Sequence, residues 1–224
     1  MCHDTGWLKR AFGPETNWKT EIVRCDCQRE QDRRRIWDRA RRASNLTPEM
    51  ERMTFASFRR ERNLEAAELL WRWAQQPSGW IVLMGPPGTG KTHLLAALAN
   101  RLMTTDNRAL YVIAPELLRF LRTGIGTGDM ERRFDQAREV DVLLLDDLGA
   151  EQQTEWAEEQ FYLLLDHRYR SQAPTVIATN LKPHDLPMRI RSRMQDRAFS
   201  QVIVMDGEDY RLSDERAKQA NLGW

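Results

Sequence analysis

From Trp80 onward the chain alternates short, almost uninterrupted apolar runs with stretches whose apolar positions recur every three or four residues. The runs are WIVLM (80–84), ALYVIA (109–114), VDVLLL (140–145) and TVIAT (175–179); HLLAALANRLM, PELLRFLR and EEQFYLLLDHRYR lie between them. Continuous apolar runs of strand length belong to strands covered on both faces, and strands separated by helices need crossover connections. The pattern therefore predicts an α/β fold, a parallel sheet flanked by helices. Upstream, Leu64, Ala67, Leu70, Trp71 and Ala74 recur at helical spacing across 63–75 and open this body, with Trp71, Trp73 and Trp80 as its buried aromatics. Residues 28–43 form a polar, Arg-rich run of good helix formers, whereas residues 1–27 hold Gly, Pro, Trp and Cys with no helical period. Three parts follow: a head (1–27), a helical linker (28–53) and a body (54–224).

Composition adds little to that outline. The 224 residues carry a formal net charge of +1, so there is no global polyanion signature. Charge is unevenly placed, however: between Arg24 and Arg62 twelve Arg face seven acids, a local basic stripe. The first residues are polar and lack the apolar core of a secretory signal, and no apolar run is long enough to span a bilayer, which points to a soluble, cytoplasmic protein without a membrane partner. Three cysteines, an odd number, argue against a disulfide framework and leave metal binding or free thiols.

The chemistry begins at GPPGTGKT, Gly85 to Thr92, which fits G-x-x-x-x-G-K-[ST] at every position between a predicted strand and a predicted helix. Gly85, Pro86, Pro87, Gly88, Thr89 and Gly90 form the loop whose N–H groups would cradle phosphates, aided by the positive end of the following helix. Lys91 would reach the β- and γ-phosphates and Thr92 would place its hydroxyl on Mg²⁺; His93 reads as a helix-face residue beside the loop. A bare Gly/Pro turn would not need this spacing.

The run VDVLLLDDLG ends in two acids. Asp146 is placed to hold Mg²⁺ with Thr92, and Asp147, on the alternate face, to orient the attacking water; solvated strand-end carboxylates are the bland alternative. TVIATN ends in Asn180, a candidate hydrogen-bond donor to the γ-phosphate or the lytic water, or a turn cap. His167 and His184 show no partner pattern.

Taken together, GPPGTGKTHL, LLLDDLGAE, FYLLLDHRYR, PTVIATN and the closing RIRSRMQD and DYR resemble the AAA+ ATPases, specifically the helicase-loader and IstB clade typified by DnaC and DnaI. The resemblance runs from about Thr54 to Arg211. It implies a P-loop NTPase fold for 54–224, ATP and Mg²⁺ as cofactors, and self-association through AAA+ interfaces. By the same resemblance Arg193 takes the place of an arginine finger and Arg211 that of a second sensor; on spacing alone Arg189 and Arg191 rival Arg193, and a solvated basic face remains open. The segment with Arg119, Arg122, Arg132 and Arg133 lies where loaders carry a surface facing single-stranded DNA, although a charged helix surface reads equally well.

Two jobs of this clade compete: a loader that binds a replicative hexameric DNA helicase and places it on single-stranded DNA, and an IstB-like helper of a transposase. A nucleotide-switched binding module with vestigial hydrolysis is the third reading. Cys2, His3, Cys25 and Cys27 resemble the zinc-ribbon-like head of DnaI-type and phage loaders, which favours the loader and implies Zn²⁺. Such heads generally carry a further cysteine at a position that would precede Met1, so either the start lies upstream or His3 or water completes the set. A head of this size folds only when metal or docking holds it.

Overall fold

The computed structural model describes residues 46–58, 63–104, 109–123, 129–151, 154–207 and 209–210, and two strands of the head. Those strands, β1 (Trp7–Phe12) and β2 (Lys19–Arg24), pair antiparallel with Trp7 opposite Arg24 and Phe12 opposite Lys19. The described part of the head, which shows no helical period, is thus an extended ribbon. The cysteines, His3 and the Arg-rich run of the linker lie outside the described residues.

The body holds one five-stranded sheet in the order β4-β5-β6-β3-β7, every neighbouring pair parallel. Its strands are β3 (Trp80–Met84), β4 (Ala109–Ile113), β5 (Val142–Leu148), β6 (Thr175–Thr179) and β7 (Ser200–Val204). The helices are α1 (Leu64–Trp73), α2 (Lys91–Leu102), α3 (Ala114–Thr123), α4 (Asp129–Glu139), α5 (Glu155–Arg170) and α6 (Met188–Met194). After β3 the chain crosses to the far edge and works back through β5 and β6; after β6 it passes to the other side of β3. Ligands bind at such a reversal, at the carboxyl ends of the strands.

Period-2 alternation divides the strands between two cores. Ile81, Leu83, Tyr111, Leu144, Val176 and Ala178 face α1 and α2, together with Phe55 and Phe58. Trp80, Val82, Met84, Leu143, Leu145 and Ile177 face the other way, against leucines of α3 and α5 and Ile190 of α6. Both faces being covered explains why the runs read as continuous apolar stretches. Leu144, Leu145, Ile177 and Leu98 are fully buried, each worth about 1.5–3 kcal/mol of transfer free energy. At α5 the Thr154 hydroxyl accepts from the Ala157 N–H at 3.2 Å, and Glu155 and Glu158 complement the helix N-terminus.

Trp71 departs from the expected burial. It is 46 % exposed, with the Arg101 guanidinium 4.5 Å from its ring centroid and Phe55 edge-on at 5.6 Å. The buried stripe of α1 consists of Ala66, Ala67 and Leu70, so Trp71 falls at its rim, where a cation covers the ring face. Trp80, at 2 % exposure, is buried as expected and donates its indole N–H to the Ala173 carbonyl at 3.1 Å. Among the described residues no helix is long and apolar enough to cross a membrane.

Candidate functional site: a phosphate loop at the sheet's carboxyl edge

The loop between β3 and α2 is held to the sheet at its first residue, where the Gly85 N–H donates to the Thr179 carbonyl of β6 at 3.3 Å. Gly88 (φ 77°) and Gly90 (φ 96°) then take left-handed backbone that curls the loop onto the start of α2. Neither tolerates a Cβ: one on Gly90 would meet Phe58 at 2.6 Å, and one on Gly88 would collide with the Asp209 carboxylate. Thr89 Oγ1 donates to the Pro86 carbonyl at 3.0 Å, closing the curl from inside.

Lys91 opens α2 and is 7 % exposed. Its Nζ donates to the Gly85 and Pro86 carbonyls, both at 2.7 Å, and approaches Thr89 Oγ1 at 3.3 Å. The ammonium thus lies within the loop, where phosphate oxygens would compete with those carbonyls. A concave loop with a cation and a helix N-terminus fits a polyphosphate.

Asp146, 4 % exposed, ends the buried part of β5. Its Oδ2 accepts from the Tyr111 hydroxyl at 2.6 Å and its Oδ1 from the Asp147 N–H at 2.9 Å; the Thr92 hydroxyl also donates to it. Burial pushes the Asp146 carboxyl above the usual range and the three donors oppose that shift. Burial beside Asp146 likewise pushes the Tyr111 phenol far up, so it stays protonated and donates. A buried carboxylate touching the loop threonine fits a divalent cation, for which Thr92 and Asp146 are the residues that would hold it. Magnesium, when bound, would supply positive charge across the phosphates.

Asp147 does not follow simple strand alternation. Three residue steps along β5, Leu145 to Leu148, match two along β6, Ile177 to Thr179, and Asp147 takes left-handed backbone (φ 58°) in that bulge. Its half-buried side chain turns to the end of β6, where Oδ1 accepts from Asn180 Nδ2 at 2.9 Å. Two residues singled out separately in the sequence are therefore one hydrogen-bonded unit, able to orient a water at the edge of the phosphate site. Glu151, not singled out, accepts from the Gly149 N–H at 2.9 Å, and burial raises its pKa.

Segments from both ends of the body pack on the loop. Asn63 Nδ2 donates to the Thr89 and Asp206 carbonyls at 3.3 and 3.1 Å, and the Asp206 N–H returns a bond to Asn63 Oδ1 at 3.0 Å. The Tyr210 N–H donates to the Gly88 carbonyl at 3.3 Å, next in the chain to Arg211, which lies outside the described residues. Asn100 Nδ2 reaches the carbonyls of Met50, Glu51 and Met53, the last at 2.7 Å. His93 proves to be an anchor: its Nε2 lies 3.0 Å from the Thr54 carbonyl, which can only accept, so this nitrogen carries the proton.

Burial lowers the His93 pKa, with the Thr54 carbonyl opposing. A folded-state pKa below the unfolded value of about 6.5 contributes stability that is complete above that pH and is lost as pH falls through the lowered value. His93→Gln should therefore lose less melting temperature than the parent between neutral and mildly acidic pH. Melts of both followed by circular dichroism check this, and parallel declines would refute it.

The comparisons with known proteins bear on this arrangement. The IstB-like ATP-binding protein family matches residues 23–217, most of the chain. The chain belongs to that family. It is 35 % identical over 107 residues to the replicative helicase loader DnaI of Bacillus subtilis, covering 47 % of this chain and 34 % of the loader, so the match spans about a third of that relative. It is 23 % identical over 207 residues to the loader DnaC of Escherichia coli, covering 87 % and 84 % of the two chains. An insertion sequence IS21 ATP-binding protein of Pseudomonas aeruginosa is 30 % identical over 146 residues, covering 61 % of this chain and 54 % of that protein. Among solved structures, DnaI superposes with a TM-score of 0.62 at 28 % identity over 74 % of this chain and 94 % of that one. The DnaC helicase loader does so with 0.64 at 20 % identity over 71 % of this chain and all of that one. The fold is that of the P-loop AAA+ ATPases.

Arg193, the family's candidate finger, lies on α6 with its guanidinium ion-paired to Asp166 of α5 and flanked by the rings of Tyr162 and Tyr169. Arg189 is exposed beside Tyr162, and Arg191 approaches the Pro183 carbonyl at 3.4 Å. Arg119 and Arg122 are exposed on α3, Arg122 lying 4.9 Å from the Trp156 ring centroid; the side chains of Arg132 and Arg133 lie outside the described residues. His167 accepts from Arg138 at 3.0 Å through Nδ1 and meets Glu139 at 3.0 Å through Nε2, and His184 lies 3.5 Å from Asp185. Tyr111, Asn63 and Asn100 had no sequence signal, because their partners lie on other elements.

Proposed function

We propose that this IstB-like protein is an ATP-dependent replicative helicase loader, which binds and hydrolyses ATP and helps place a hexameric DNA helicase on single-stranded DNA during replication initiation. The observation that carries the reading is the joined constellation of Lys91 in its loop, Asp146 with Thr92, and Asp147 with Asn180. These are the parts that phosphoryl transfer to water requires: phosphate grip, a place for Mg²⁺ and a group to orient the nucleophile. Similarity to two proteins named as replicative helicase loaders supports the finer assignment.

In this reading the body (54–224) is the motor, and the linker (28–53) and head (1–27) engage the helicase. Arg193 acts in trans after exchanging Asp166 for a neighbour's nucleotide, which makes hydrolysis depend on assembly. Arg211 acts in cis; its neighbour Tyr210 is bonded to the phosphate loop. Arg119, Arg122, Arg132 and Arg133 meet DNA phosphates. Cys2, His3, Cys25 and Cys27 hold Zn²⁺, and Cys25 follows in sequence on Arg24, the last paired residue of the ribbon. The family match also favours a second reading, an IstB-like transposition helper.

Co-purification of the full chain with replicative helicases, in ATP, ADP and nucleotide-free buffer, separates the readings. A nucleotide-dependent complex and phosphate release stimulated by helicase or single-stranded DNA are expected. No complex in any nucleotide state would sink the loader assignment, and stimulation by duplex DNA with a transposase would support the helper. Metal analysis of the same sample should find stoichiometric zinc that disappears in Cys25→Ser.

A further inference from the structure

Among the described residues, the hydrophobic residues buried on the α1/α2 side of the sheet include one tyrosine. The other members of that group are Phe, Ala, Leu, Ile, Val and Met; Tyr111, at zero exposure, brings the only hydroxyl among them. A phenylalanine would fill the same space, and a hydroxyl buried in such surroundings costs free energy unless a partner takes its proton. The partner here is Asp146.

The register shows how the two meet. Tyr111 lies opposite Leu144 in the parallel β4–β5 pair, and Asp146, opposite Ile113, is two residues further along the same face, about 6.6 Å on. The phenol extends along that face and donates to Oδ2 at 2.6 Å, while the Asp147 N–H holds Oδ1 at 2.9 Å. One donor on each oxygen fixes the plane of the carboxylate and leaves its remaining lone pairs for Thr92 and whatever Thr92 binds.

We propose that Tyr111 is a positioning residue for the phosphate site: its hydroxyl locks the Asp146 carboxylate in the orientation that, with Thr92, receives the divalent cation accompanying the nucleotide. The role rests on the nucleotide-site reading above, and it goes beyond the loop and strand-end motifs, which do not include β4. Mutating a group that orients a metal-directing ligand typically costs about 10–100-fold in metal affinity or activity.

The test titrates the full chain with a fluorescent ATP analogue in EDTA and at graded Mg²⁺. In Tyr111→Phe, affinity in EDTA should stay within about twofold of the parent while the Mg²⁺ concentration for half-maximal tightening rises roughly tenfold. Tyr111→Met, which fills the space without a hydroxyl, should shift the same midpoint and guards against a misfolded first variant. Asp146→Asn should abolish the Mg²⁺ response, and adding Tyr111→Phe to it should change nothing further. An unchanged Mg²⁺ midpoint in both Tyr111 variants, with or without a lowered melting temperature, overturns the role and assigns Tyr111 to packing. A parent chain that binds no analogue overturns the nucleotide site itself; a parent that binds with variants unaffected overturns the Tyr111 role alone.

Discussion

Lys91→Ala is expected to lower ATP hydrolysis by about 100-fold or more, the scale on which single charge-stabilising donors act in a preorganised site. Lys91 is the one cation inside the phosphate loop among the described residues, and its Nζ already lies on the concave side, 2.7 Å from the Gly85 and Pro86 carbonyls. When phosphate enters, the ammonium exchanges two neutral acceptors for charged oxygens, and that exchange strengthens as negative charge develops in the reaction. Removing it also releases the carbonyls that hold the curl, at a cost of about 1 kcal/mol each or less because the loop is partly solvated. Loss of hydrolysis should therefore far exceed loss of fold. Phosphate release and binding of a fluorescent ATP analogue, read beside a thermal melt, give the comparison. A Lys91→Ala chain that hydrolyses ATP at the parent rate would remove the basis for calling the protein an ATPase.

Arg168→Ala should have the opposite profile, a large loss of stability with an intact nucleotide site in whatever remains folded. Arg168 is completely buried, yet no carboxylate touches it among the described ion pairs. Its Nε donates to Thr175 Oγ1 at 2.9 Å, one terminal nitrogen to the carbonyls of Ala137, Arg138 and Val140, and the other to the Pro174 carbonyl at 2.7 Å. The first three carbonyls close the C-terminus of α4, where orphan acceptors and the negative end of the helix dipole favour a cation. Burial lowers the Arg168 pKa to about 10, which still leaves it charged at neutral pH.

Truncation therefore leaves a cavity and removes the donor shared by five acceptors, of which the Pro174 carbonyl keeps the Leu143 N–H at 3.2 Å, a combination worth about 3–5 kcal/mol. That is a large share of the roughly 5–15 kcal/mol that holds a domain together. Arg168→Lys should recover only part of it, since a point charge cannot reproduce the planar fork that bridges the end of α4 and the start of β6. Urea unfolding checks both variants; a destabilisation below about 1 kcal/mol in Arg168→Ala would show that water replaces the guanidinium. Because Arg168 braces the start of β6 and the site forms at its end, analogue affinity of the folded fraction should not change.

These two residues mark how far the sequence could be read. Lys91 was legible because a phosphate loop is a local device: its glycines, lysine and threonine are consecutive, and a strand before and a helix after are enough to place it. Arg168 sits in a helix with the same polar neighbours as any solvated arginine, and its five acceptors come from residues 137–140 and 174–175, so nothing near it in sequence marks it as buried. Tyr111 is similar, an apolar-run tyrosine until β4 pairs with β5 in the register that sets its hydroxyl on Asp146.

By itself, then, the sequence determined what depends on local order: the alternation of strands and helices, the parallel sheet, the loop with Lys91 and Thr92, and the acids at the end of β5. Only the tertiary structure decided what depends on register and packing. A bulge turned Asp147 to Asn180, against the simple alternation expected of a strand. The contact between α5 and α6 drew Arg193 onto Asp166, and the position of α1 left Trp71 at the rim under Arg101. Hydrophobic period is a property of neighbours along the chain, whereas a hydrogen-bond partner is set by which strand lies beside which, and with what offset.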